Sequence, residues 1–212
     1  MCTGRVDLSF VLRAFSNGAD GVFIGGCWLG ECHYLTEGNY DALSLMHICK
    51  KLLGYIGVEP DRLRLEWLSS SEGIRFADIM NDFSAQIRRL GRLGEGEGLD
   101  ADVLRLKLEA VTQLIPYVKL VERERLRVPL KSEEEYNTFF ASDELTRLFD
   151  ESVAGKLTIS QIMLLLREGP LSTREISEAL RLDPAEVSRQ LNTSSRQGLV
   201  RYDEGLRSYA LA

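Results

Sequence analysis

Apolar residues in the first part of the chain alternate between helical spacing and short apolar runs. The helical spacing predicts helices at Leu8–Phe15, from about Tyr40 to Ile56, and at Ile74–Leu90. The short runs predict buried strands at Gly21–Ile24 and Leu63–Leu68. Because helices of this length separate the strands, we expect the strands to run parallel and to be joined by right-handed crossovers. Residues 1–95 are therefore predicted to form an α/β parallel-sheet domain.

A helical bridge is predicted after this domain, over residues 96–155. Four glycines among residues 91–98 predict a flexible connector at its start. Asp100–Arg125 has the spacing of one helix or of two helices interrupted near Pro116, and Ser132 before three glutamates predicts the start of a further helix. The bridge has 13 acidic and 8 basic residues, which we interpret as a solvated face rather than a cation-binding site.

The last part of the chain, residues 156–212, has the pattern of a winged helix-turn-helix domain. The signals are, in chain order, a helix at Ile159–Leu166, a capping box at Ser172 and Glu175, the N-cap and first-turn pair Asp183-Pro184, and a hairpin turn at Asp203–Gly205. Together they predict three helices followed by a two-stranded wing.

The third helix of this domain offers only part of what a DNA-reading helix needs. Its candidate DNA contacts are Arg189, Gln190, Asn192 and Arg196, and they lie among the acidic residues Asp183 and Glu186. The domain has 8 basic and 7 acidic residues, so it lacks a strong positive charge. We interpret it as a protein-docking domain, for which nucleic acid is an unlikely partner, and keep DNA binding by a dimer as the alternative.

Composition and charge exclude several classes of protein. The chain has no apolar run near the roughly 20 residues of a membrane span, and residues 1–20 lack the layout of a signal peptide. We therefore expect a cytoplasmic protein with no membrane partner. The net charge of −6 argues against a chain built mainly to hold nucleic acid. Four cysteines in a cytoplasmic chain indicate metal ligands, redox groups or buried fillers rather than disulfides.

Three of the cysteines are expected at one edge of the predicted sheet. Cys27 and Cys32 follow the strand at Gly21–Ile24, and Cys2 precedes the first helix. The carboxyl ends of parallel strands are where open α/β sheets bind ligands, and a serine-rich turn at 69–73 should lie on the same edge. Glycines around Cys27 and Cys32 let the backbone approach a bound group closely. The sequence therefore predicts a metal site at Cys2, Cys27 and Cys32.

The sequence contains no set of residues with the spacing typical of an enzyme active site. Neither His33 nor His47 has the spacing of a nucleophile and base pair, and there is no glycine-rich phosphate-binding motif. Trp28 and Trp67 are interpreted as packing or interface anchors rather than electron relays. We therefore expect a non-catalytic subunit.

Several motifs in residues 1–90 together resemble the delta-subunit family of methyl-viologen-reducing, F420-non-reducing hydrogenases. They are Met1–Asp7, Phe10–Leu12 with Ala14-Phe15, Gly18–Val22, Gly26-Cys27 with Leu29–Tyr34, Gly38–Tyr40, Arg64–Trp67 and Ser71–Gly73. The resemblance implies a [2Fe–2S] cluster bound by Cys2, Cys27 and Cys32. It also implies electron transfer between an oxidoreductase, such as a hydrogenase or formate dehydrogenase, and a heterodisulfide-reductase-A-like flavoprotein that performs electron bifurcation.

The chain departs from the family pattern at its start. Family members begin with an additional strand-bearing segment that contains a Cys-x-x-Cys pair, so the resemblance implies an N-terminally truncated domain. A [2Fe–2S] cluster needs four ligands, and the fourth is expected from outside this reading frame. Cys49 is interpreted as a buried filler and His33 as pointing away, with each kept as an alternative ligand. The competing function is a redox-sensing winged-helix transcription regulator.

Overall fold

The computed structural model describes residues 2–35, 37–126 and 132–212. Helices and strands follow one another as α1 (Leu8–Ser16), β1 (Val22–Gly26), α2 (Asn39–Tyr55), β2 (Leu63–Trp67), α3 (Gly73–Leu90), α4 (Ala101–Val121), α5 (Glu133–Ala141), α6 (Asp143–Phe149), α7 (Gly155–Leu165), α8 (Thr173–Leu180), α9 (Pro184–Arg196), β3 (Val200–Asp203) and β4 (Ser208–Leu211). Within these ranges no helix is both long and apolar enough to cross a membrane.

The first two strands form a parallel pair, as the sequence predicts. Val22 lies opposite Leu63, and Gly26 lies opposite Trp67. Helix α2 connects the strands, and α3 follows the second one. The predicted α/β parallel-sheet fold is confirmed. Because the two strands run in the same direction, the loop that contains Cys27 and the turn after β2 leave the sheet at the same edge.

Helix α4 runs without interruption through Pro116, so the alternative of two helices broken near this residue is wrong. Pro116 lies on the exposed side of α4, where water can satisfy the carbonyl that loses its N–H partner. The opposite side of α4 packs against both α1 and α7. A short π-helical turn, Glu122–Leu126, continues the helix.

Arg62 fixes the glycine-rich segment at residues 91–98, where the sequence predicts a flexible connector. Its guanidinium is fully buried and donates to the Glu97 carboxylate, with Nε 2.6 Å from Oε1. It also donates to the main-chain carbonyls of Asp20, Leu90, Gly91 and Arg92. The prediction of flexibility is wrong because most of the acceptors for a buried guanidinium come from this segment and the residue before it.

The C-terminal part is a winged helix, as predicted. Strands β3 and β4 pair antiparallel from Val200 opposite Leu211, and Ser172 with Glu175 forms the capping box of α8. A small separate core contains Ile162, Leu166, Ile176, Leu180, Val187, Leu191 and Val200.

The winged helix is attached firmly to the rest of the protein through its first helix. Leu157 and Leu164 of α7 belong to the main core, which also includes residues of α1, α2 and α4. Arg181 at the end of α8 donates to the main-chain carbonyl of Gly98. The main core therefore extends from the parallel sheet to the start of the winged helix.

Candidate metal centre

Two of the three predicted ligands are in contact. The sulfur atoms of Cys2 and Cys32 lie 3.5 Å apart, and Cys32 is buried. Cys2 immediately precedes a 3-10 turn at Thr3–Arg5, in which the Thr3 hydroxyl donates to the carbonyl of Gly25 at 3.2 Å. This hydrogen bond ties the start of the chain to the end of β1, from which the other cysteines follow.

Gly38 closes the site beside the two sulfurs. Its backbone has φ +42° and ψ −100°, a conformation that favours glycine. A Cβ atom at this position would lie 2.7 Å from the Cys32 sulfur and 3.1 Å from the Cys2 sulfur. Both the backbone angle and the lack of space therefore require glycine here.

The environment of the pair favours ionisation of Cys32. Burial opposes this ionisation, but hydrogen bonds to the sulfur outweigh burial and lower the pKa of the Cys32 thiol. The donors are the main-chain N–H of Tyr34, the thiols of Cys2 and Cys27, and the main-chain N–H of Asn39. The pKa of Cys2 is raised, first by burial and also by its hydrogen bond to Cys32. The two pKa values therefore shift in opposite directions, and Cys32 is the more readily ionised thiol of the pair.

Cys27 is exposed and lies beside a buried asparagine that the sequence analysis did not select. The Asn39 side chain is 1% exposed, and its Nδ2 atom lies 3.5 Å from the Cys27 sulfur. The same nitrogen donates to the carbonyls of Cys27 and Trp28. The position of Asn39 within Gly38–Tyr40, directly after the cysteine loop, was the available signal, because a buried asparagine needs polar partners.

Trp28 fastens the cysteine loop to the serine-rich turn after β2. Its indole N–H donates to the Glu72 carboxylate at 2.8 Å, and this carboxylate also accepts from the main-chain N–H of Ser69 at 2.6 Å. The Arg75 guanidinium stacks over the indole ring at 5.0 Å. These contacts agree with the interpretation of Trp28 as an anchor. Trp67 is buried, whereas Trp28 is only partly buried, and the Trp67 indole N–H donates to the Glu133 carboxylate at 3.1 Å.

A cleft of about 470 Å³ lies between the cysteine loop and the serine-rich turn. Cys2, Cys27 and Gly26 line one side, and Ser69 and Glu72 line the other. The serine-rich turn therefore lies on the same edge as the cysteines, where the carboxyl ends of β1 and β2 meet.

Cys49 and His33, the two alternative ligands, are not among the residues that join Cys2, Cys27 and Cys32. Cys49 is fully buried in the main core, and burial raises the pKa of its thiol to about 12. It is thus a structural thiol that resists forming a thiolate. His33 is exposed, and its ring packs edge-on against Tyr34 with 5.2 Å between ring centroids.

The sulfur geometry fits part of an iron–sulfur site. Among residues 2–35, 37–126 and 132–212, no three His, Cys, Asp or Glu side chains already surround a position for a metal ion. Two thiolates on one tetrahedral ion at about 2.3 Å are about 3.8 Å apart, close to the 3.5 Å between Cys2 and Cys32. Cys27 adds a third thiol at the same cleft. A [2Fe–2S] cluster needs one more ligand than these three cysteines provide.

Comparison with known proteins divides the chain into two matched parts. Residues 1–91 match the FlpD family, described as methyl-viologen-reducing hydrogenase, delta subunit. Residues 158–202 match a family described as bacterial regulatory protein, arsR family. The second match covers most of the winged helix, and the first covers the parallel sheet and the cysteines.

Curated relatives match a stretch of about 90 residues of this chain. An iron-sulfur subunit of F420-non-reducing hydrogenase from Archaeoglobus profundus is 56% identical over 90 residues, which are 42% of this chain and 65% of that protein. A vhu iron-sulfur subunit of F420-non-reducing hydrogenase from Methanopyrus kandleri is 36% identical over 92 residues, 43% of this chain and 69% of the relative. The chain therefore spans about two thirds of the length of these relatives.

A third relative has the same domain within a much larger protein. This relative is a component of the Ferredoxin/F(420)H(2)-dependent CoB-CoM heterodisulfide reductase of Methanosarcina acetivorans, and it is 45% identical over 94 residues, 44% of this chain but 12% of that protein. A stretch of about 90 residues of this chain is thus similar both to proteins named iron–sulfur subunits and to a component of a heterodisulfide reductase. Through residues 1–91, the chain belongs to the methyl-viologen-reducing hydrogenase delta-subunit family, which confirms the resemblance found in the sequence.

Proposed function

We propose that this protein is a non-catalytic electron-transfer subunit that carries a [2Fe–2S] cluster at Cys2, Cys27 and Cys32. The observation that carries the proposal is the 3.5 Å contact between Cys2 and Cys32 at the edge of a domain whose relatives are named iron–sulfur subunits. When bound, such a cluster accepts and releases a single electron. The protein itself holds the cluster, excludes solvent from it and supplies hydrogen bonds to its ligands.

The residues of the site suit this role in different ways. Hydrogen bonds to the buried Cys32 sulfur outweigh burial and lower the pKa of its thiol, which eases formation of the thiolate, the form that binds metal. Cys27 is exposed, so this side of a bound cluster would face a partner protein. The fourth ligand would come from outside the residues of this chain, because the core position of Cys49 leaves its thiol protonated.

The larger relative suggests one partner. A domain 45% identical to this one is part of a heterodisulfide reductase component in Methanosarcina acetivorans. Domains joined in one chain in one organism commonly act together when they are separate chains in another. We therefore propose a heterodisulfide-reductase-A-like flavoprotein as the partner on one side. A hydrogenase, formate dehydrogenase or similar oxidoreductase would be on the other, in the cytoplasm, with electron bifurcation at the flavin.

The winged helix would act as a docking domain within this assembly. Its exposed surface includes large apolar side chains on and beside the wing, at Leu199, Tyr202 and Leu206, of which Leu206 is 69% exposed. On α9, Arg189 is paired with Glu186 of the same helix, which lowers the positive charge available for phosphate groups. Both features favour a protein partner.

A redox-sensing transcription regulator is the second candidate function. The match of residues 158–202 to the arsR family of regulatory proteins favours it. A regulator would bind selected DNA sequences with sub-micromolar affinity near physiological salt and lose that affinity in Arg189→Ala. The docking proposal predicts only weak, unselective binding that disappears as salt is raised.

Isolation of the tagged protein from its source under anaerobic, low-salt conditions tests the proposed function. We expect a heterodisulfide-reductase-A-like flavoprotein and components of an oxidoreductase to co-purify in constant ratio. Recovery of the chain as a lone homodimer would contradict the proposal.

A further inference from the structure

Cys2 and Cys32 are close enough to form a disulfide when no cluster is bound. Their sulfur atoms lie 3.5 Å apart, whereas the sulfurs of a disulfide are about 2.05 Å apart. The two sulfurs would need to move about 1.5 Å closer, which small rotations about the two Cα–Cβ bonds can produce. Because the residues are 30 positions apart in the sequence, the bond would join the start of the chain to the cysteine loop.

Contacts within the protein alone hold these two sulfurs side by side. The backbone of Gly38 lies against both of them, since a Cβ there would be 2.7 Å from the Cys32 sulfur and 3.1 Å from the Cys2 sulfur. Thr3, next to Cys2, donates to the carbonyl of Gly25 at 3.2 Å. The fold therefore keeps the two thiols together without a bound metal.

The two thiols differ in how easily a small oxidant reaches them. Cys2 is half-buried and lines the cleft of about 470 Å³, whereas Cys32 is only 5% exposed. Hydrogen peroxide in the cleft would thus oxidise Cys2 first, to a sulfenic acid, with release of one water. The Cys32 sulfur would then attack the Cys2 sulfur, so that an S–S bond forms, the S–O bond breaks and a second water leaves. In total the two thiols lose two electrons and two protons, and hydrogen peroxide becomes two waters.

Cys27 is the competing partner for Cys32. Its thiol is exposed and is also a hydrogen-bond donor to the Cys32 sulfur. The same thiol donates to the side-chain oxygen of Asn39 at 3.6 Å, so it is held toward Asn39 as well. The contact that Gly38 makes with both other sulfurs therefore favours Cys2 as the partner of Cys32.

We infer that hydrogen peroxide converts Cys2 and Cys32 of the cluster-free protein into a disulfide, which prevents reloading of the cluster until a dithiol reductant cleaves it. The inference rests on the proposed function, because both cysteines are proposed cluster ligands. The bond would also protect them, since a sulfenic acid without a partner thiol is oxidised further to a sulfinic acid, which is not readily reversed.

Peroxide treatment of the cluster-free protein tests for the disulfide. The cluster is removed with an iron chelator from the complex isolated from its source, hydrogen peroxide is added in equal amount, and the remaining thiols are alkylated in denaturant. Peptide mass spectrometry should then show Cys2 linked to Cys32, with Cys27 and Cys49 alkylated. A Cys27–Cys32 disulfide, or the absence of any disulfide, would overturn the inference.

Two variants separate the pair from the other thiols. Cys32→Ala leaves Cys2 without a partner, so excess peroxide should convert Cys2 to the sulfinic acid. Cys49→Ala removes a buried thiol outside the pair and should form the Cys2–Cys32 disulfide as the wild type does. Equal amounts of sulfinic acid at Cys2 in Cys32→Ala and in the wild type would contradict the protective role.

Reloading of the isolated complex with iron and sulfide tests the effect on the cluster. The reduced cluster-free complex should regain its visible absorption, whereas the oxidised one should regain it only after treatment with dithiothreitol. Equal recovery before that treatment would overturn the regulatory role. A reduced complex that takes up no cluster would instead count against the proposed function, while mass spectrometry, which needs no cluster, still decides whether the disulfide forms.

Discussion

The Cys2 and Cys32 sulfur atoms lie 3.5 Å apart, although the two residues are 30 positions apart in the sequence. The contact depends on the parallel sheet. The Thr3 hydroxyl binds the carbonyl of Gly25 at the end of β1, and the loop that begins at Cys27 brings Cys32 back to Cys2. Of the two thiols, Cys2 also lines the cleft beside the serine-rich turn, and a sulfur separation of 3.5 Å is close to that of two thiolates on one metal ion.

Replacing the cysteines one at a time should distinguish the cluster ligands from the buried structural thiol of Cys49. Cys27→Ala and Cys32→Ala should each abolish the visible absorption and the reduced-state paramagnetic signal, because each removes a proposed ligand. Cys49→Ala should retain both signals, since burial raises the pKa of this thiol to about 12. Absorption and electron paramagnetic resonance spectra of the isolated protein provide the measurement. Loss of the signals in Cys49→Ala would show that Cys49 is a ligand.

Gly38→Ala should prevent cluster binding while the protein still folds. The added Cβ would lie 2.7 Å from the Cys32 sulfur, and the positive φ would cost about 1–3 kcal/mol in free energy of unfolding. Gly18→Ala is the matched control, because Gly18 also has a positive φ, +87°, and a Cβ there meets nothing within 4 Å. It should lower the free energy of unfolding by a similar amount, about 1–3 kcal/mol, and leave iron content unchanged. Iron analysis and chemical denaturation measure the two effects, and normal iron content in Gly38→Ala would refute this account of Gly38.

Arg62→Met should destabilise the protein strongly. The substitution leaves the Glu97 carboxylate and several carbonyls without their buried donor, which should lower the free energy of unfolding by about 3–5 kcal/mol. Arg105→Met removes an exposed arginine paired with Asp102 and should cost less than about 0.5 kcal/mol. Urea denaturation of the two variants compares these values. Equal losses of unfolding free energy in the two variants would mean that Arg62 does not fix the segment at residues 91–98.

The contribution of this ion pair should also depend on pH. Burial opposes ionisation of Glu97, but the hydrogen bonds from Arg62 outweigh it and hold the pKa of Glu97 below the ordinary 4.5. The stabilisation is therefore complete above pH 4.5 and is lost as the pH falls through the lowered pKa of the folded state. The stability difference between wild type and Arg62→Met should narrow in that range. A constant difference down to low pH would contradict the assignment to Glu97.

Changes on the wing should weaken assembly without altering the cluster. Deleting the whole winged helix is unsuitable as a test, because Leu157 and Leu164 of α7 are part of the main core. Leu206→Ser instead removes an apolar side chain that is 69% exposed, and should lower the recovery of co-purifying proteins. Leu120→Ser, at an exposed leucine of α4, is the control. Partner recovery is measured by quantitative mass spectrometry, and equal recovery from both variants would contradict the docking proposal.

Local patterns predicted most of the secondary structure, including the parallel order of β1 and β2. Apolar spacing and capping residues are local properties of a sequence, so Ser132, Ser172 and Asp183 mark helix starts that the structure confirms. The prediction that the cysteines lie close together followed from the rule that the carboxyl ends of parallel strands lie at one edge of the sheet. The rule does not give the distances between the sulfur atoms or the role of each thiol, because these depend on side-chain contacts.

Long-range polar contacts explain where prediction from the sequence failed. Glycine content indicated a flexible segment at 91–98, whereas Arg62, almost thirty positions earlier, supplies the hydrogen bonds that fix it. Asn39 was not selected although it follows the cysteine loop directly, because the sequence does not show that its side chain is buried. Both residues act through partners distant in sequence, which neither spacing nor composition reports.

The central claim is that this chain carries an iron–sulfur cluster for electron transfer. Iron and acid-labile sulfide in the protein isolated anaerobically from its source, together with the paramagnetic resonance signal after reduction, test it most directly. We predict iron and sulfide in equal amounts and a signal typical of a [2Fe–2S] cluster that is absent in Cys32→Ala. Protein isolated in the same way with no iron, or with a signal that persists in Cys32→Ala, would contradict the account.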